Sequence, residues 1–181
     1  MRKAILILLA TLLVSAPVFA QNSAIDPDKI TYGAQAGINI QKGIGAFIGG
    51  FAQLPFLMED MYLQAGAELA LRRSGNSYTS EMRNLYLEIP LHLGYHMFLS
   101  HEFSLYGDIG PYVGLALVRT NCAKYGLHHQ NIFDVGVGLN IGAEFQEAFR
   151  VFVGYDFGFI PTFKGDHTYN RGFKVGVGYR F

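Results

Sequence analysis

The chain has 181 residues with 14 basic and 14 acidic side chains, half of its residues are hydrophobic, and 22 are glycine. This balanced charge excludes the basic stripe that nucleic-acid binding requires. A single cysteine, Cys122, excludes an internal disulfide. The length suits one domain.

The first predicted element is a secretory signal peptide over residues 1–20. A basic pair precedes the apolar run AILILLATLLV, and SAPVFA then supplies a small-residue cleavage pattern. A membrane anchor helix is the weaker interpretation, because the apolar run is too short to cross a bilayer. We therefore expect export, with residues 21–29 as a periplasmic lead-in and residues 30–181 as a β-barrel domain.

The rest of the chain divides into segments of about ten residues with alternating hydrophobicity, which is the sequence signature of transmembrane β-strands. In FDVGVGLNIGAEF, for example, the residues from Phe133 to Phe145 place apolar side chains on one face and Asp, Asn, Glu and Gly on the other. Pro90 and Pro111 lie inside such segments and predict local bulges or bends. The eight predicted strands are 30–40, 44–54, 61–72, 85–97, 103–117, 132–145, 149–160 and 171–181.

The charged residues inside these strands share a face. With Arg171 set aside at the rim, every charge lies opposite the apolar face of its strand, which makes the alternation significant. The second strand, AFIGGFAQL, has apolar residues on both faces and gives no prediction of its facing. The charged set is Glu68, Arg72, Glu88, Asp108, Asp134, Glu144, Arg150, Asp156, Lys174 and Arg180.

The connections alternate between short ones at 98–102 and 146–148 and long polar ones at 73–84, 118–131 and 161–170. An outer-membrane barrel shows this pattern, with short periplasmic turns and longer outer loops. A soluble barrel with an apolar interior is the alternative. The charge-bearing face is rich in glycine rather than in charge, which fits a crowded interior better than a solvated exterior. We therefore predict an eight-stranded antiparallel up-and-down transmembrane barrel with lipid outside.

The final strand, FKVGVGYRF, resembles the C-terminal assembly signal of bacterial outer-membrane proteins at Lys174, Gly176, Tyr179 and Phe181. Together with NLYLEIPLHLGY and LYGDIGPYVGLAL, it gives the chain a resemblance to the outer-membrane β-barrel domain family of Bacteroidota. That family is often labelled "porin family" and includes the PorT secretion component. The architecture is similar to small OmpX and OmpA-type barrels. The resemblance implies insertion by the barrel assembly machinery into the outer membrane of a Gram-negative cell, and it implies no shared catalytic motif.

The in-strand charges are the leading candidates for a functional site. Glu144 and Arg150 flank one short turn symmetrically and should pair, with Arg180 nearby. Asp134, Asp156 and Lys174 should form a similar set closer to the outer end. A side-chain plug is favoured over an ion path, because a barrel of this size is filled by its own side chains and buried charges need partners.

No metal, cofactor or catalytic site is expected. His92 and His96 share a strand face but lie roughly 13 Å apart by strand rise, too far to share a metal. A catalytic barrel needs an activated nucleophile at the bilayer interface, and the strands offer only Ser104, which faces inward. The remaining metal-ligating candidates are in predicted loops and match no zinc spacing; they are Cys122, His128, His129 and His167.

The sequence thus favours a structural or interaction protein without enzymatic activity, whose outer loops form a contact surface. A narrow pore or a component of transport or secretion is the alternative function, and a lipid-modifying enzyme is the third. The expected partners are outer-membrane lipid and lipopolysaccharide, the barrel assembly machinery during insertion, and a protein at the outer loops. No nucleic acid is expected.

Overall fold

The computed structural model describes residues 29–74, 82–119, 131–162 and 169–181, and within these ranges antiparallel strands close into a barrel. Each strand pairs with the next, and β8 pairs with β1. Closure leaves no strand edge of the barrel unpaired, as hydrocarbon surroundings require. The strands are β1 (Thr31–Ile40), β2 (Ile44–Phe56), β3 (Met58–Ser74), β4 (Met82–Phe98), β5 (Phe103–Arg119), β6 (Phe133–Phe145), β7 (Phe149–Pro161) and β8 (Tyr169–Arg180).

The predicted fold class is confirmed, and the strands differ from the predicted ones mainly in length. β3 and β4 each reach 17 residues and extend into segments that the sequence assigned to connections. The proposed signal peptide lies outside the described residues. No helix in the described ranges is long and apolar enough to cross a membrane.

The two ends of the barrel differ in their connections. One end carries the connections β1–β2, β3–β4, β5–β6 and β7–β8, and we call it the loop end because three of these are long. The other carries β2–β3, β4–β5 and β6–β7, which span one to four residues, and we call it the turn end. Gln146 and Glu147 in the last of these turns both have positive φ, 51° and 55°, as a tight turn joining twisted antiparallel strands requires.

The outward face is apolar along every strand, with aromatic side chains concentrated near the strand ends. Tyr32 and Phe181 mark the turn end, and Phe133 and Phe159 mark the loop end. All four are more than half exposed. A soluble protein rarely leaves so continuous an apolar surface uncovered, whereas a membrane barrel requires it.

The structure shows which face of β2 points into the barrel, a question that the sequence left open. Phe47 and Phe51 point inward and are buried, at 3% and 5% exposure, while Ile44 and Ile48 point outward and are more than 60% exposed. Apolar residues occur on both faces of this strand because its inward aromatic rings fill the lumen.

Glycines opposite the inward rings make room for them. Six inward aromatic side chains each have a glycine as their direct cross-strand Cα partner. A Cβ atom added at any of these glycines would lie 2.1–2.8 Å from the facing ring. The aromatic rings therefore occupy the space that a side chain at each of these glycines would need. The pairs are Phe47–Gly37, Phe51–Gly33, Tyr62–Gly94, Tyr106–Gly142, Tyr112–Gly136 and Phe152–Gly176.

Of the bulges or bends predicted at the two in-strand prolines, the bulges are absent. The pairing register is the same on both sides of Pro90 and of Pro111, and it shifts instead at Pro55/Phe56, Leu85/Tyr86 and Phe157/Pro161. A proline removes one ladder hydrogen bond, and the neighbouring pairs hold the register across that gap.

Candidate functional site: the barrel lumen

The ten charged side chains singled out in the sequence all lie on the inward face of the barrel. Nine of them are buried and Arg180, at the turn end, is half-buried. They do not form one continuous network. Together with uncharged polar groups they form four clusters along the barrel axis.

The central ion cluster consists of Glu68, Arg72, Glu88, Asp156 and Lys174. The Arg72 guanidinium donates to both Glu88 oxygens, at 2.5 and 2.7 Å, and to Asp156 Oδ2 at 2.8 Å. Lys174 Nζ lies 3.1 Å from Asp156 Oδ2, 3.2 Å from Glu68 Oε2 and 3.5 Å from Glu88 Oε2. Three carboxylates and two cations neutralise one another here except for one negative charge.

These ion pairs cross the lumen. In a closed barrel of this strand order β3 lies opposite β7, and β4 lies opposite β8. Arg72 on β3 pairs with Asp156 on β7, and Lys174 on β8 reaches Glu88 on β4. Burial of such ions is costly, and only good geometry with additional hydrogen bonds offsets that cost. The cluster therefore spans the lumen at this level.

The histidine cluster lies nearer the turn end and is centred on Asp108. Asp108 Oδ1 lies 2.7 Å from His92 Nδ1 and accepts a hydrogen bond from the Asn140 amide at 2.7 Å. Its other oxygen accepts from the Tyr62 hydroxyl at 3.1 Å. Four strands, β3 to β6, contribute these groups, which satisfy the buried carboxylate.

The turn-end cluster is built on Glu144, which has two cationic partners. Arg180 Nη2 lies 2.7 Å from one carboxylate oxygen and Arg150 Nε lies 3.3 Å from the other. Arg150 also donates across the lumen to Gln64 on β3 at 3.1 Å, and its guanidinium stacks 3.9 Å from the centre of the Tyr106 ring. The expected pairing of Glu144 with Arg150 is present, and Arg180 on β8 also lies beside Glu144, as expected.

The loop-end cluster separates Asp134 from the two residues with which the sequence grouped it. Asp134 Oδ2 accepts hydrogen bonds from the Tyr112 hydroxyl at 3.2 Å and the Asn170 amide at 3.0 Å. Asn170 on β8 also lies 3.5 Å from the hydroxyl of Tyr86 on the opposite strand, β4. Asp156 and Lys174 pair as expected, but the inclusion of Asp134 in their set is wrong, because register places those two residues with Arg72.

Amide side chains that contact the charged residues are the part of the site that sequence reasoning missed. Gln35 donates to Glu68 at 2.6 Å, and Gln53 donates to Gln64 at 2.9 Å. Asn140 and Asn170 complete the clusters described above. Except for Gln53 on β2, whose facing the sequence left open, these residues lie on the predicted inward faces, so applying the same strand phase to amide side chains would have found them.

The four residues of the suggested assembly signal divide between the two faces. Lys174 and Gly176 face the lumen, where the lysine is ion-paired and the glycine accommodates the Phe152 ring. Tyr179 and Phe181 face outward and stack on each other with ring centres 6.4 Å apart. The first two thus have structural roles in the finished barrel that are independent of any recognition during assembly.

Metal-ligating side chains and Ser104 are the remaining candidates that the sequence raised. No group of three or more His, Cys, Asp or Glu in the described ranges could hold a metal ion. Ser104 is buried in the lumen. The predicted outer loops, with Cys122, His128, His129 and His167, lie largely outside the described residues.

Comparison with known families identifies the barrel. The profile of the outer membrane protein beta-barrel domain matches residues 6–181. The chain belongs to this family. An outer membrane barrel domain accounts for the apolar exterior and the closed sheet together, and it implies location in the outer membrane. A comparison with curated proteins gave no significant match.

Solved structures similar to this barrel domain are distant in sequence. The N-terminal β-barrel domain of OprF from Pseudomonas aeruginosa is 14% identical, with 84% of this chain and 98% of that one covered and a TM-score of 0.49. Ail of Yersinia pestis in a phospholipid bilayer nanodisc is 15% identical, with 83% and 99% covered and a TM-score of 0.46. A de novo designed transmembrane barrel is 14% identical, with 84% and 93% covered and a TM-score of 0.40.

Proposed function

We propose that this outer membrane barrel domain is a non-conducting structural or interaction protein, which presents its loop-end connections as a contact surface. The observation that carries the proposal is the set of polar contacts between opposite strands. Arg72–Asp156, Lys174–Glu88 and Arg150–Gln64 each span the lumen, at two different levels. A lumen closed in this way leaves the exterior and the loop end as surfaces for function.

The outward surface supports a function without enzymatic activity. In the described ranges the outward faces of the strands carry apolar side chains, with Arg73, Arg83 and Arg171 near the loop end. On these faces the described side chains include no serine, cysteine or histidine, and the carboxylate of Asp60 at the turn end accepts a hydrogen bond from the hydroxyl of the outward Tyr95 at 3.5 Å. Lipid-modifying chemistry needs an activated nucleophile with its base, and Ser104 is buried in the lumen, away from the bilayer interface.

The lengths of the connections and the N-terminal sequence support a proposal for the orientation of the barrel and for its route to the membrane. We propose that residues 1–20 direct export and are removed, that residues 21–29 remain in the periplasm, and that the loop end faces outward. Short periplasmic and long outer connections are usual in such barrels. The resemblance to the Bacteroidota and PorT-like proteins supports a Gram-negative source of that group and insertion by the barrel assembly machinery. The contact partner we propose is a protein that binds segments 73–84, 118–131 and 161–170.

Conductance of the refolded barrel in a planar bilayer tests the proposal. Folding is checked first by heat-modifiable migration, and the wild type is expected to give no stable current steps. The double variant Arg72→Ala/Lys174→Ala removes both cations that cross the centre of the lumen. Its interior is wider than that of the wild type, and it is measured beside the wild type for comparison. Stable steps from the wild type that change on substitution of Lys174 would overturn the proposal in favour of a narrow pore.

A further inference from the structure

We infer that the loop-end rim binds the phosphate groups of the anionic glycolipid of the outer leaflet, with Arg73 and Arg83 as its central pair. The inference rests on the proposed function, because it requires the loop end to face the outer leaflet. It adds to that proposal a ligand chemistry and the residues that recognise it.

The starting observation is an unfavourable pairing of two like charges. Arg73 on β3 and Arg83 on β4 are direct cross-strand partners. Both share the outward parity of their strands, opposite the inward Arg72 and Asn84. Like charges directly opposite each other destabilise an antiparallel pair. An anion that binds between them would turn this repulsion into attraction.

The lumen arginines contrast with this pair. Arg72, Arg150 and Arg180 each have a carboxylate partner within 3.3 Å. No carboxylate of the described residues forms an ion pair with Arg73 or Arg83. The barrel therefore supplies counter-ions for its interior arginines and leaves this outward pair to an external anion.

Further cations continue the rim on both sides of the β1–β2 turn. The Arg73 side-chain stem packs against Gly43, where an added Cβ would lie 2.7 Å from its Cδ, and Lys42 is the neighbouring exposed residue. On the other side of the same turn, a Cβ added at Gly172 would lie 2.3 Å from Gln41 Cγ, so the start of β8 adjoins this turn. The arc of outward or exposed cations over β8 and β1–β4 comprises Arg171, Lys42, Arg73 and Arg83.

These cations lie where the apolar surface ends. On each strand the next outward residue toward the barrel centre is apolar: Leu71 beneath Arg73, Leu85 beneath Arg83 and Phe173 beneath Arg171. Arg171 also stacks over Tyr169, with its guanidinium 4.8 Å from the ring centre. Cationic heads above an apolar and aromatic band are placed at the depth of lipid head groups.

The two ends of the barrel differ in charge in the same sense when each connection is counted together with the strand ends beside it. At the loop end, residues 41–43, 73–84, 118–131 and 162–171 contain seven basic and two acidic residues. At the turn end, residues 55–61, 98–102 and 146–148 contain four acidic residues and no basic one, and the basic residues beside them are Lys29 and the ion-paired Arg180. A positive loop end complements a leaflet whose glycolipid carries phosphate, and arginine is the side chain best suited to bind phosphate with two hydrogen bonds.

Titration of lipid A into the refolded protein in a phosphate-free alkyl glycoside detergent tests the inference. The double variant Arg73→Gln/Arg83→Gln should bind about thirtyfold more weakly, since each cation near an anionic lipid surface contributes about fivefold to affinity. Arg73→Lys/Arg83→Lys should bind more tightly than the glutamine variant and more weakly than the wild type, because lysine keeps the charge but cannot bind phosphate through two parallel hydrogen bonds. Glu102→Gln/Glu147→Gln removes two exposed charges at the opposite end and should leave the affinity unchanged.

Three results would overturn the inference. These are equal affinities of wild type and Arg73→Gln/Arg83→Gln, equal binding of lipid A from which the phosphates have been removed, or competition by inorganic phosphate at the same concentration as lipid A. The last result would assign the rim to free phosphate. None of them affects the bilayer conductance, so this inference and the proposed function fail by different measurements.

Discussion

Lys174 is the side chain on which the central ion cluster converges. It lies within 3.5 Å of three carboxylates, and for Glu68 it is the only cation among the described residues. Replacing Lys174 by Met would leave three buried carboxylates facing Arg72 alone. Removing one partner of a buried ion pair typically costs about 3–5 kcal/mol, so Lys174→Met should lower the free energy of unfolding by that amount in a urea titration of the barrel in lipid vesicles.

A second substitution separates this electrostatic effect from lost packing. Glu68→Gln keeps the shape of the side chain and its neighbour Gln35, while it removes one of the uncompensated charges. The double variant Lys174→Met/Glu68→Gln should therefore be more stable than Lys174→Met alone. If the two changes are simply additive, the residues do not interact in the way the distances indicate.

Within the strand pairs, the glycines opposite aromatic rings determine how tightly the lumen is packed. A Cβ at Gly94 would lie 2.1 Å from the Tyr62 ring, and the hydroxyl of Tyr62 donates a hydrogen bond to Asp108. Gly94→Ala must therefore displace either the ring or the backbone of β4. Overpacking of this kind costs about 1–3 kcal/mol, and we expect a corresponding loss in unfolding free energy, measured by tyrosine fluorescence during urea unfolding.

Gly107→Ala provides the control on a neighbouring strand. Gly107 faces outward on β5, and an added Cβ would find its nearest atom at 3.7 Å. The same chemical change at the same type of backbone position should therefore leave stability unchanged or raise it slightly, because alanine restricts the unfolded chain more than glycine does. Equal destabilisation by the two variants would show that the Tyr62 contact does not determine the effect.

The strands themselves could be read from the sequence, whereas their contacts could not. Alternation of apolar and polar residues identifies each strand and the inward side of seven of them, because a lipid-facing surface must be apolar throughout. The pairing of Arg72 with Glu88 and Asp156 depends on the stagger between β3, β4 and β7. That stagger is a property of the closed sheet, and it cannot be predicted from the sequence of any single strand.

β2 and the prolines show where local rules fail for a definite reason. Phe47 and Phe51 break the expected alternation because large rings are needed inside, opposite Gly37 and Gly33. Pro90 leaves the register unchanged because β4 is held by β3 and β5 on both sides. In each case the closed barrel overrides a preference that the isolated segment has.

The barrel as a whole combines an apolar exterior with an interior that holds most of its buried polar groups. This arrangement is the reverse of a soluble barrel, in which charges face water and apolar side chains fill the centre. If lipid surrounds the barrel, the loss of unfolding free energy caused by an outward charge should depend on the distance of that charge from the middle of the bilayer. It should not depend on the neighbouring residues in the sheet.

Val153 and Val118 allow this dependence to be measured. Both point outward and about half of each side chain is exposed, but Val153 lies midway along β7 and Val118 lies at the loop end of β5. Val153→Arg should cost about 2–4 kcal/mol of unfolding free energy in lipid vesicles, and Val118→Arg about 0–1 kcal/mol. Equal costs would contradict a bilayer around the middle of the barrel, since two exposed sites in water would tolerate arginine alike. A larger cost at Val153 fixes the hydrocarbon band at the centre of the strands and leaves the loop-end arginines at its outer boundary.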